Sequence, residues 1–393
     1  MTSLYQAPRL HRTHYATPLD EQNALIQGLS ARTDAEGERL KRYLTMDDLT
    51  RLEGNPVKAI TDRIINLPSL KEFDLIETPE IIPAEVVFDL FNFPKDHPAR
   101  SKSDTYYVNA THILRPHTSL MWKYYLEIPE VQQKLEQHGS AGAICHGTVY
   151  RRDEIDWQHS NVLHHIDGLF ICKKSMKNLE QGDLEAMLWE VAHALFGSDI
   201  VGRFNIEHYP YTDPSLEMEI AWGEKWVEIL GAGIVHPQVM KNLGLDPGIY
   251  CGWAFGFGAD RLAMIKMRIP DIRLLRSDDP RVTSQFASID HTYQPVSKYP
   301  AVVRDISFIV NKSTFNLNQY YELVRDTLGA DLVEEMKLLD QFENAEKLGA
   351  SNQSLTFRII YRSLDRTLTN EEVNILHKKL EEETRRVCGA VIR

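Results

Sequence analysis

The chain has little cysteine, and what it has follows no pattern. Its 393 residues include four cysteines, Cys145, Cys172, Cys251 and Cys388, which form no CxxC pair and no metal-ligand spacing. Such a set reads as reduced thiols in an intracellular compartment, not as a disulfide framework or a zinc module. Also missing is any apolar run near the roughly 20 residues that a membrane-spanning helix requires, so no membrane partner is expected. Basic charge is in deficit: 44 Lys+Arg stand against 56 Asp+Glu, a net charge of −12. That excludes a protein that coats nucleic acid by bulk charge and leaves room for one that grips RNA with a local patch. From Lys298 onward 14 Lys+Arg face 15 Asp+Glu, so the remainder carries 30 against 41 and the C-terminal part is nearly neutral. Repeats and low-complexity tracts are absent. Fifteen histidines come with no HExxH, and the adjacent His164 and His165 would point to opposite faces of a strand.

What is present is a soluble, mixed composition, 43% hydrophobic and 25% charged, at a length that suits two or three domains. The first 19 residues hold Arg9 and Arg12 and no acid before Asp20, a transit-peptide balance, but Pro8 and Pro18 leave no clear amphipathic face. Residues 20–70 read as polar helices, with Ile60, Ile64, Ile65 and Leu67 spaced for one buried face. An extended stretch follows from Phe73 to Val87, and residues 97–104 read as a loop. Short apolar or alternating runs at 143–150, 163–171, 218–221, 226–230 and 254–257 suit strands. One clear helix stands among them: Leu184, Met187, Leu188, Val191, Ala192, Leu195 and Phe196 recur at helical spacing, with Asp183 and Gly197 as caps. Runs of strands with few crossover helices favour an antiparallel α+β sheet. Beyond a boundary near 285–298 the order is strand 302–310, helix 318–328, strand 333–342, strand 354–362, helix 371–388 and a short strand at 390–392. That is the βαββαβ split order, and Thr369 with Glu372 marks a capping box.

Four constellations are candidates for chemistry. Gly147 to Asp153, with Asp156, His159, His164, His165 and Asp167, sets cations and carboxylates on two strands joined by a loop. A strand-borne arginine there is either a bidentate phosphate clamp or one half of a surface salt bridge. Gly252 to Met264 lacks the third glycine and the βαβ context of a dinucleotide turn. It reads as a strand that a flat ligand approaches closely, or as glycine packing, followed by a helix opening near Arg261. Arg115 to Ser119 is a polar cluster before a helix, open to a turn-and-cap reading. Tyr209 and Tyr211, one residue apart, would share a strand face and either wall an aromatic pocket or pack the core.

In order along the chain, these pieces resemble the phenylalanyl-tRNA synthetase family. The segments are FNFPKDHPARSKSDTYY, LRPHTSLM, GTVYRRDEIDWQHSNVLHHIDGL, YPYTDPSLEMEI, WVEILGAGIVHPQV and GWAFGFGADRLAMIKMRIPDIRLLRSDDPR. KYPAVVRDISFIV and YRSLDRTLTNEEVNILHKKLEEE resemble the anticodon-binding domain fused to its single-chain organellar members. The resemblance covers about residues 70–393. It implies a class II synthetase antiparallel sheet with helices over residues 71–290, preceded by an N-terminal helical and extended region at 1–70. A C-terminal ferredoxin-like domain would span 298–393. It also implies ATP-dependent adenylation of phenylalanine, transfer to tRNA, Mg²⁺ as an accompanying ion, a monomer, and the mitochondrial matrix as the place of work, with plastid or cytoplasm as alternatives.

Residue by residue, Arg151 resembles the family's motif 2 arginine and Arg261 its motif 3 arginine. Both are expected to hold ATP phosphates where negative charge grows. Asp153, His159 and Leu163 complete the expected ATP set. Glu217 and Glu228 are expected Mg²⁺ ligands, since hard cations that carry phosphates prefer carboxylates. His117 and Ser119 match the residues that bind the amino acid's polar end, and Ala254 matches the small residue at the pocket floor. The pocket departs from the family pattern elsewhere. His165 stands for Gln, Asp167 for Glu and Trp122 for Gln, Tyr209 and Tyr211 for two phenylalanines, and Leu163 for the phenylalanine that stacks on adenine. Two alternatives therefore stand beside phenylalanine ligation: a paralogue activating another aromatic amino acid, or a tRNA-binding protein with weakened catalysis. For tRNA contact the candidates are Arg358, Arg362, Arg366, Lys378, Lys379, Arg385 and Arg386, with Arg358 and Arg362 placed on one strand face. Charge pairing with Glu381, Glu382 and Glu383 is the alternative for these cations.

Overall fold

The computed structural model describes residues 12–296 and 299–393; Arg9 and Lys298 lie outside them. Two compact units form. Residues up to Tyr150 join Val162–Arg268 and Phe286–Thr292 in the first. Arg151–Asn161, Ile269–Gln285 and Tyr293–Arg393 make the second. The division is not one cut near residue 290, because the 151–161 loop groups with the C-terminal part.

In the first unit the strands are β1 (His14–Ala16), β2 (Asp74–Glu77), β3 (Ile81–Pro83), β4 (His112–Leu114), β5 (Ser140–Tyr150), β6 (Val162–Lys173), β7 (Gly202–Glu207), β8 (Thr212–Trp222), β9 (Lys225–Val235) and β10 (Tyr250–Gly258). Eight of them form one sheet in the order β1-β2-β5-β6-β10-β9-β8-β7. From β5 to β7 every pairing is antiparallel, as the sequence led one to expect. The edge at β1 and β2 is parallel. β3 and β4 make a separate two-stranded ribbon.

Local chemistry explains the elements. Ile60, Ile64, Ile65 and Leu67 are all buried, on and just after the helix Pro56–Ile65. Asn55 caps that helix through the Val57 N–H, and Pro56 at its first position loses no intrahelical bond. The helix Gln181–Phe196 begins three residues earlier than its apolar spacing suggests. Glu180 is its cap, and Asp183 is the reciprocal partner of a capping box rather than the cap itself. Residues 84–88, at the end of the stretch expected to be extended as far as Val87, form a short helix that buries Val86, Val87 and Phe88. One sheet face is filled by aromatic stacking. Phe73 lies 5.8 Å from both Phe170 and Trp253, which are 5.4 Å from each other.

The second unit holds β11 (Val302–Asn311), β12 (Val333–Phe342), β13 (Asn352–Tyr361) and β14 (Val391–Ile392), in the sheet order β12-β13-β11-β14. The helices Leu317–Leu328 and Asn370–Cys388 complete βαββαβ. Thr369 caps the second helix, accepting from the Glu372 N–H at 3.2 Å. The core is Phe308, Phe357, Tyr320, Tyr361, Val324, Val373 and Leu380, joined by Ile155 from the 151–161 loop. That loop is pinned by polar contacts too. Met336 N–H donates to the Ile155 carbonyl at 2.9 Å, Asn161 Nδ2 to the buried Glu322 at 2.6 Å, and Arg325 to the Glu154 carbonyl.

A buried carboxylate ties the edge of the first sheet together. Asp74 accepts from Lys134 Nζ at 2.7 and 2.9 Å, from the Tyr125 hydroxyl at 2.6 Å and from the Thr13 N–H at 2.9 Å. Asp74→Ala strands a lysine and a hydroxyl that are both largely shielded from water. Loss of a buried pair's partner costs about 3–5 kcal/mol, reduced toward ~2–4 here because Lys134 keeps some water contact. A urea titration of the full chain is expected to show that loss. A midpoint equal to that of the parent chain contradicts it.

Candidate active site

Strand register assembles the candidate site. Cys145 on β5, Asp167 on β6, Gly256 on β10, Gly231 on β9 and Glu217 on β8 are successive cross-strand partners. Two residues along each strand the next row is Ala143, Leu169, Ala254, Gly233 and Ser215. Side chains alternate along a strand, so both rows point to one face. Their central members are glycine and alanine, which leaves a trough with Asp167 on one bank and Glu217 on the other.

The trough depends on two missing side chains. A Cβ on Gly256 would stand 2.3 Å from Asp167 Oδ1, and one on Gly231 would stand 2.9 Å from the Tyr209 hydroxyl. The Asp167 carboxylate is 2% exposed and fully partnered on one oxygen. Its Oδ2 accepts from the Thr118 N–H at 2.8 Å and the Thr118 hydroxyl at 2.6 Å, with His165 Nδ1 3.8 Å away. Burial pushes its pKa up, but His165 and the Thr118 hydroxyl outweigh this and hold it below the ordinary value. An ionised carboxylate thus sits at the trough, fixed by residues that precede the helix Met121–Leu126.

Aromatic rings line the same side. Trp122 lies 4.9 Å from Phe91 and 6.3 Å from Tyr211, and the His117 ring is 5.6 Å from Phe91. Ala254, Leu169 and Ala143 belong to the same cluster. Ser119 is half-buried, and its carbonyl accepts the Trp122 N–H at 3.0 Å. Tyr209 and Tyr211 do not lie on a strand, contrary to expectation; they occupy the connection between β7 and β8. Their rings nevertheless stack, 5.4 Å apart and 2° from parallel. The Tyr209 hydroxyl donates to Glu217 Oε1 at 2.8 Å. Burial and that carboxylate drive its pKa well up.

Glu228 reaches the same face by an irregularity. Met218 pairs with Leu230 but Glu219 pairs with Glu228, so Ile229 is an extra residue between them. This bulge turns Glu228 onto the face of Glu219 and Glu217. Arg261, in the first turn of the helix Ala259–Met267, places Nη1 3.5 Å from Glu228 Oε2, with the two side chains 42% and 43% exposed. The preceding residue anchors this helix. Asp260 Oδ2 accepts from the His164 N–H at 2.6 Å, and its Oδ1 lies 2.9 Å from His164 Nδ1. His164 Nε2 accepts from the Leu49 N–H at 3.1 Å, so the ring proton sits on Nδ1, facing Asp260. Asp260 thereby fixes the chain beside both His165 and Arg261. Leu163 is half-buried on the same strand face as His165.

Arg151, Asp153 and His159 belong to the loop that groups with the second unit. Arg151 N–H donates to the Asn161 carbonyl at 3.1 Å, Asp153 Oδ1 accepts from the Glu154 N–H at 2.9 Å, and His159 Nδ1 is 2.8 Å from Asp156 Oδ2. Burial raises the Asp156 carboxyl, but His159 and two backbone donors pull it below its usual value. Among the described residues no trio of His, Cys, Asp or Glu gathers tightly enough to hold a metal ion.

Most of the cations singled out in the C-terminal unit are partnered. Arg358 forms a fork with Asp305 at 2.9 Å, Arg362 pairs with Glu334, and Arg366 pairs with Glu372 at 2.9 Å. Arg385 is 3.7 Å from Glu381, Arg386 pairs with Glu383, and Lys379 donates to the Thr327 carbonyl at 3.4 Å. Lys378 keeps its position on the helix Asn370–Cys388. Arg362 lies just past the end of β13, so it does not share a strand face with Arg358. Sequence reading assigned no separate role to Thr118, Asp260, His164 or Phe91, although the first three stand inside clusters that it singled out.

Comparison with known proteins agrees with this architecture. Residues 43–286 match the family described as "tRNA synthetases class II core domain (F)", and residues 297–393 match "Ferredoxin-fold anticodon binding domain". The mitochondrial phenylalanine–tRNA ligase of Mus musculus is 35% identical over 348 residues, covering 80% of this chain and 74% of that protein. The chloroplastic/mitochondrial enzyme of Arabidopsis thaliana is 38% identical over 323 residues, 80% of this chain and 71% of its own length. The phenylalanine–tRNA ligase alpha subunit of Coxiella burnetii is 37% identical over 235 residues, 59% of this chain and 67% of its own. With a class II core and a ferredoxin-fold domain in one polypeptide, the chain belongs to the phenylalanine–tRNA ligase family of class II aminoacyl-tRNA synthetases.

Proposed function

We propose that this chain adenylates phenylalanine with ATP and transfers it to tRNA, working as a monomer in the mitochondrial matrix. The observation that carries the reading is the ionised, buried Asp167 beside a glycine- and alanine-floored trough with aromatic walls. A carboxylate whose Oδ2 is saturated by Thr118 has Oδ1 to offer the amino acid's ammonium group. His117 and Ser119 would take its carboxylate end, His165 would hold Asp167, and Ala254 leaves room for the ring. Trp122, Tyr209 and Tyr211 would wall that ring. Catalysis then rests on positioning, with no covalent nucleophile.

Arg261 and Arg151 are each proposed to hold ATP phosphates as guanidinium donors. Asp153, His159 and Leu163 are the proposed further ATP contacts. Glu217 and Glu228 would hold Mg²⁺, which supplies charge neutralisation for the phosphates. Two carboxylates on one sheet face suit an ion that brings its other oxygens from water and nucleotide. Glu217 accepts the Tyr209 hydroxyl and Glu228 faces Arg261 at 3.5 Å, so each would share its carboxylate with the ion.

One observation favours a second reading, in which a hydroxylated aromatic amino acid is accepted. Trp122 Nε1 is buried with no acceptor among the described residues, a state costing about 1–3 kcal/mol. Amino-acid-dependent ATP–pyrophosphate exchange over the twenty amino acids decides. Phenylalanine is expected to drive exchange most strongly, with tyrosine its nearest competitor. Strongest exchange with an aliphatic amino acid overturns the assignment. In the same assay Arg261→Ala is expected to lower exchange by at least about two orders of magnitude, matching a loss of ~2–4 kcal/mol in transition-state stabilisation. Near-normal exchange would remove Arg261 from the mechanism.

The C-terminal unit is proposed to bind the anticodon region of tRNA, chiefly through phosphates. Arg358, Arg362, Arg366, Lys378, Lys379, Arg385 and Arg386 are the proposed contacts. Deleting the domain is a poor test, because its core also holds the 151–161 loop. Point reversals in the full chain are better. Lys378→Glu with Lys379→Glu should leave exchange intact and weaken tRNA charging several-fold, with a shallower salt dependence. Charging at the parent rate and salt slope would contradict a tRNA-facing helix.

A further inference from the structure

Two of the four thiols stand together, away from the trough. Cys172 on β6 and Cys251 on β10 are direct cross-strand partners, and their sulfurs are 3.8 Å apart. Partners in an antiparallel pair have Cα atoms about 4.5–5.5 Å apart. Disulfides span Cα separations of about 4.4–6.8 Å, so the backbone already meets that condition. Both side chains point to the face opposite Asp167, since 172 and 167 differ by an odd number of strand positions. Five residues separate the two positions, about 17 Å along the strand.

Both thiols face one shared acceptor. The Lys177 carbonyl lies 3.4 Å from Cys172 Sγ and 3.3 Å from Cys251 Sγ. The hydrogen bond between the two thiols pulls the Cys251 pKa down, with burial opposing and the Leu179 N–H assisting, while Cys172 is held up by the same bond. Cys251 is 9% exposed and Cys172 3%. The other cysteines are placed differently: Cys145 is on the trough face against the Thr78 hydroxyl, and Cys388 is in the C-terminal unit.

We propose that Cys172 and Cys251 form a dithiol site that hydroperoxides convert to a cross-strand disulfide. The Cys251 thiolate attacks the peroxide's distal oxygen, forming an S–O bond as the O–O bond breaks; the departing alkoxide or hydroxide takes up the proton that Cys251 gave up. Cys172 then attacks the sulfenic sulfur, forming the S–S bond as the S–O bond breaks, and its proton leaves with that oxygen as water. Two thiols and one hydroperoxide give one disulfide, one alcohol (or water) and one water, the sulfurs losing two electrons and the peroxide gaining them. The sulfurs have 3.8 Å to close to about 2.05 Å, from positions that direct cross-strand pairing already sets side by side.

The test uses the full chain, reduced, freed of reductant and treated with hydrogen peroxide, then mapped by mass spectrometry without reduction. The expected result is a loss of two hydrogens, reversed by dithiothreitol, with the Cys172 and Cys251 peptides recovered as one linked species. The oxidised protein should also melt at higher temperature than the reduced protein, because the link closes a long loop in the unfolded chain. Cys172→Ala and Cys251→Ala should each abolish the linked species; if either variant fails to fold, the parent map alone decides. Separate recovery of the two peptides, as free thiols or as sulfinic or sulfonic acids, or a link through Cys145 or Cys388, overturns the proposal.

Discussion

The absence of side chains at the centre of the large sheet is the constraint on which the rest of the first unit depends. Gly256 and Gly231 are adjacent partners on β10 and β9, with Ala254 and Gly233 one row away. Only there can a carboxylate from β6 lean across its neighbour strand, since any Cβ at Gly256 collides with Asp167. Glycine and alanine weaken a strand by giving it little to pack. The sheet offsets this on its other face, where Phe170 of β6 and Trp253 of β10 stack with Phe73. One face is thus open for a ligand because the other carries the packing.

Buried carboxylates do the positioning, and each is matched by donors before any ligand arrives. Asp74 holds the sheet edge to two helices. Asp260 joins the start of one helix to His164. Asp167 is held by Thr118 and His165. A charge removed from water is tolerated only with such partners. Between them the three carboxylates fix the helix Met121–Leu126, strand β6 and the helix that carries Arg261, the elements from which the proposed site is built. The loop with Arg151 is secured differently, by Ile155 in the core of the C-terminal unit and by Glu322 and Arg325.

What could be read in the sequence was what local pattern encodes. Apolar spacing located the helix that ends at Phe196, and alternation located β5, β6 and β10. The C-terminal βαββαβ order followed from turn signals and periodicity. Long-range effects were illegible. Glu228 shares a face with Glu217 only because of a bulge at Ile229, which no periodicity announces. Tyr209 and Tyr211 have strand-like spacing, yet their rings meet by stacking in a connection. Short β1 joins the sheet through β2, some 60 residues away, and the polar residues Thr13 and Arg12 that secure it give no signal by themselves. The cations of the final helix read either as a basic face or as partners of the acids one turn away, and Arg385 and Arg386 pair with Glu381 and Glu383.

In the proposed site Asp167 is the ionised carboxylate that would receive the substrate's ammonium group. Calorimetric binding of phenylalanine and of 3-phenylpropanoate, which lacks the amino group, measures this directly on the parent chain and on Asp167→Asn. The parent should bind phenylalanine at least about 10-fold more tightly than the desamino analogue, as a charge-assisted bond worth ~1.5–3 kcal/mol requires. In Asp167→Asn the preference should shrink toward equality through loss of phenylalanine binding alone. An undiminished preference in that variant would contradict the central role given to Asp167.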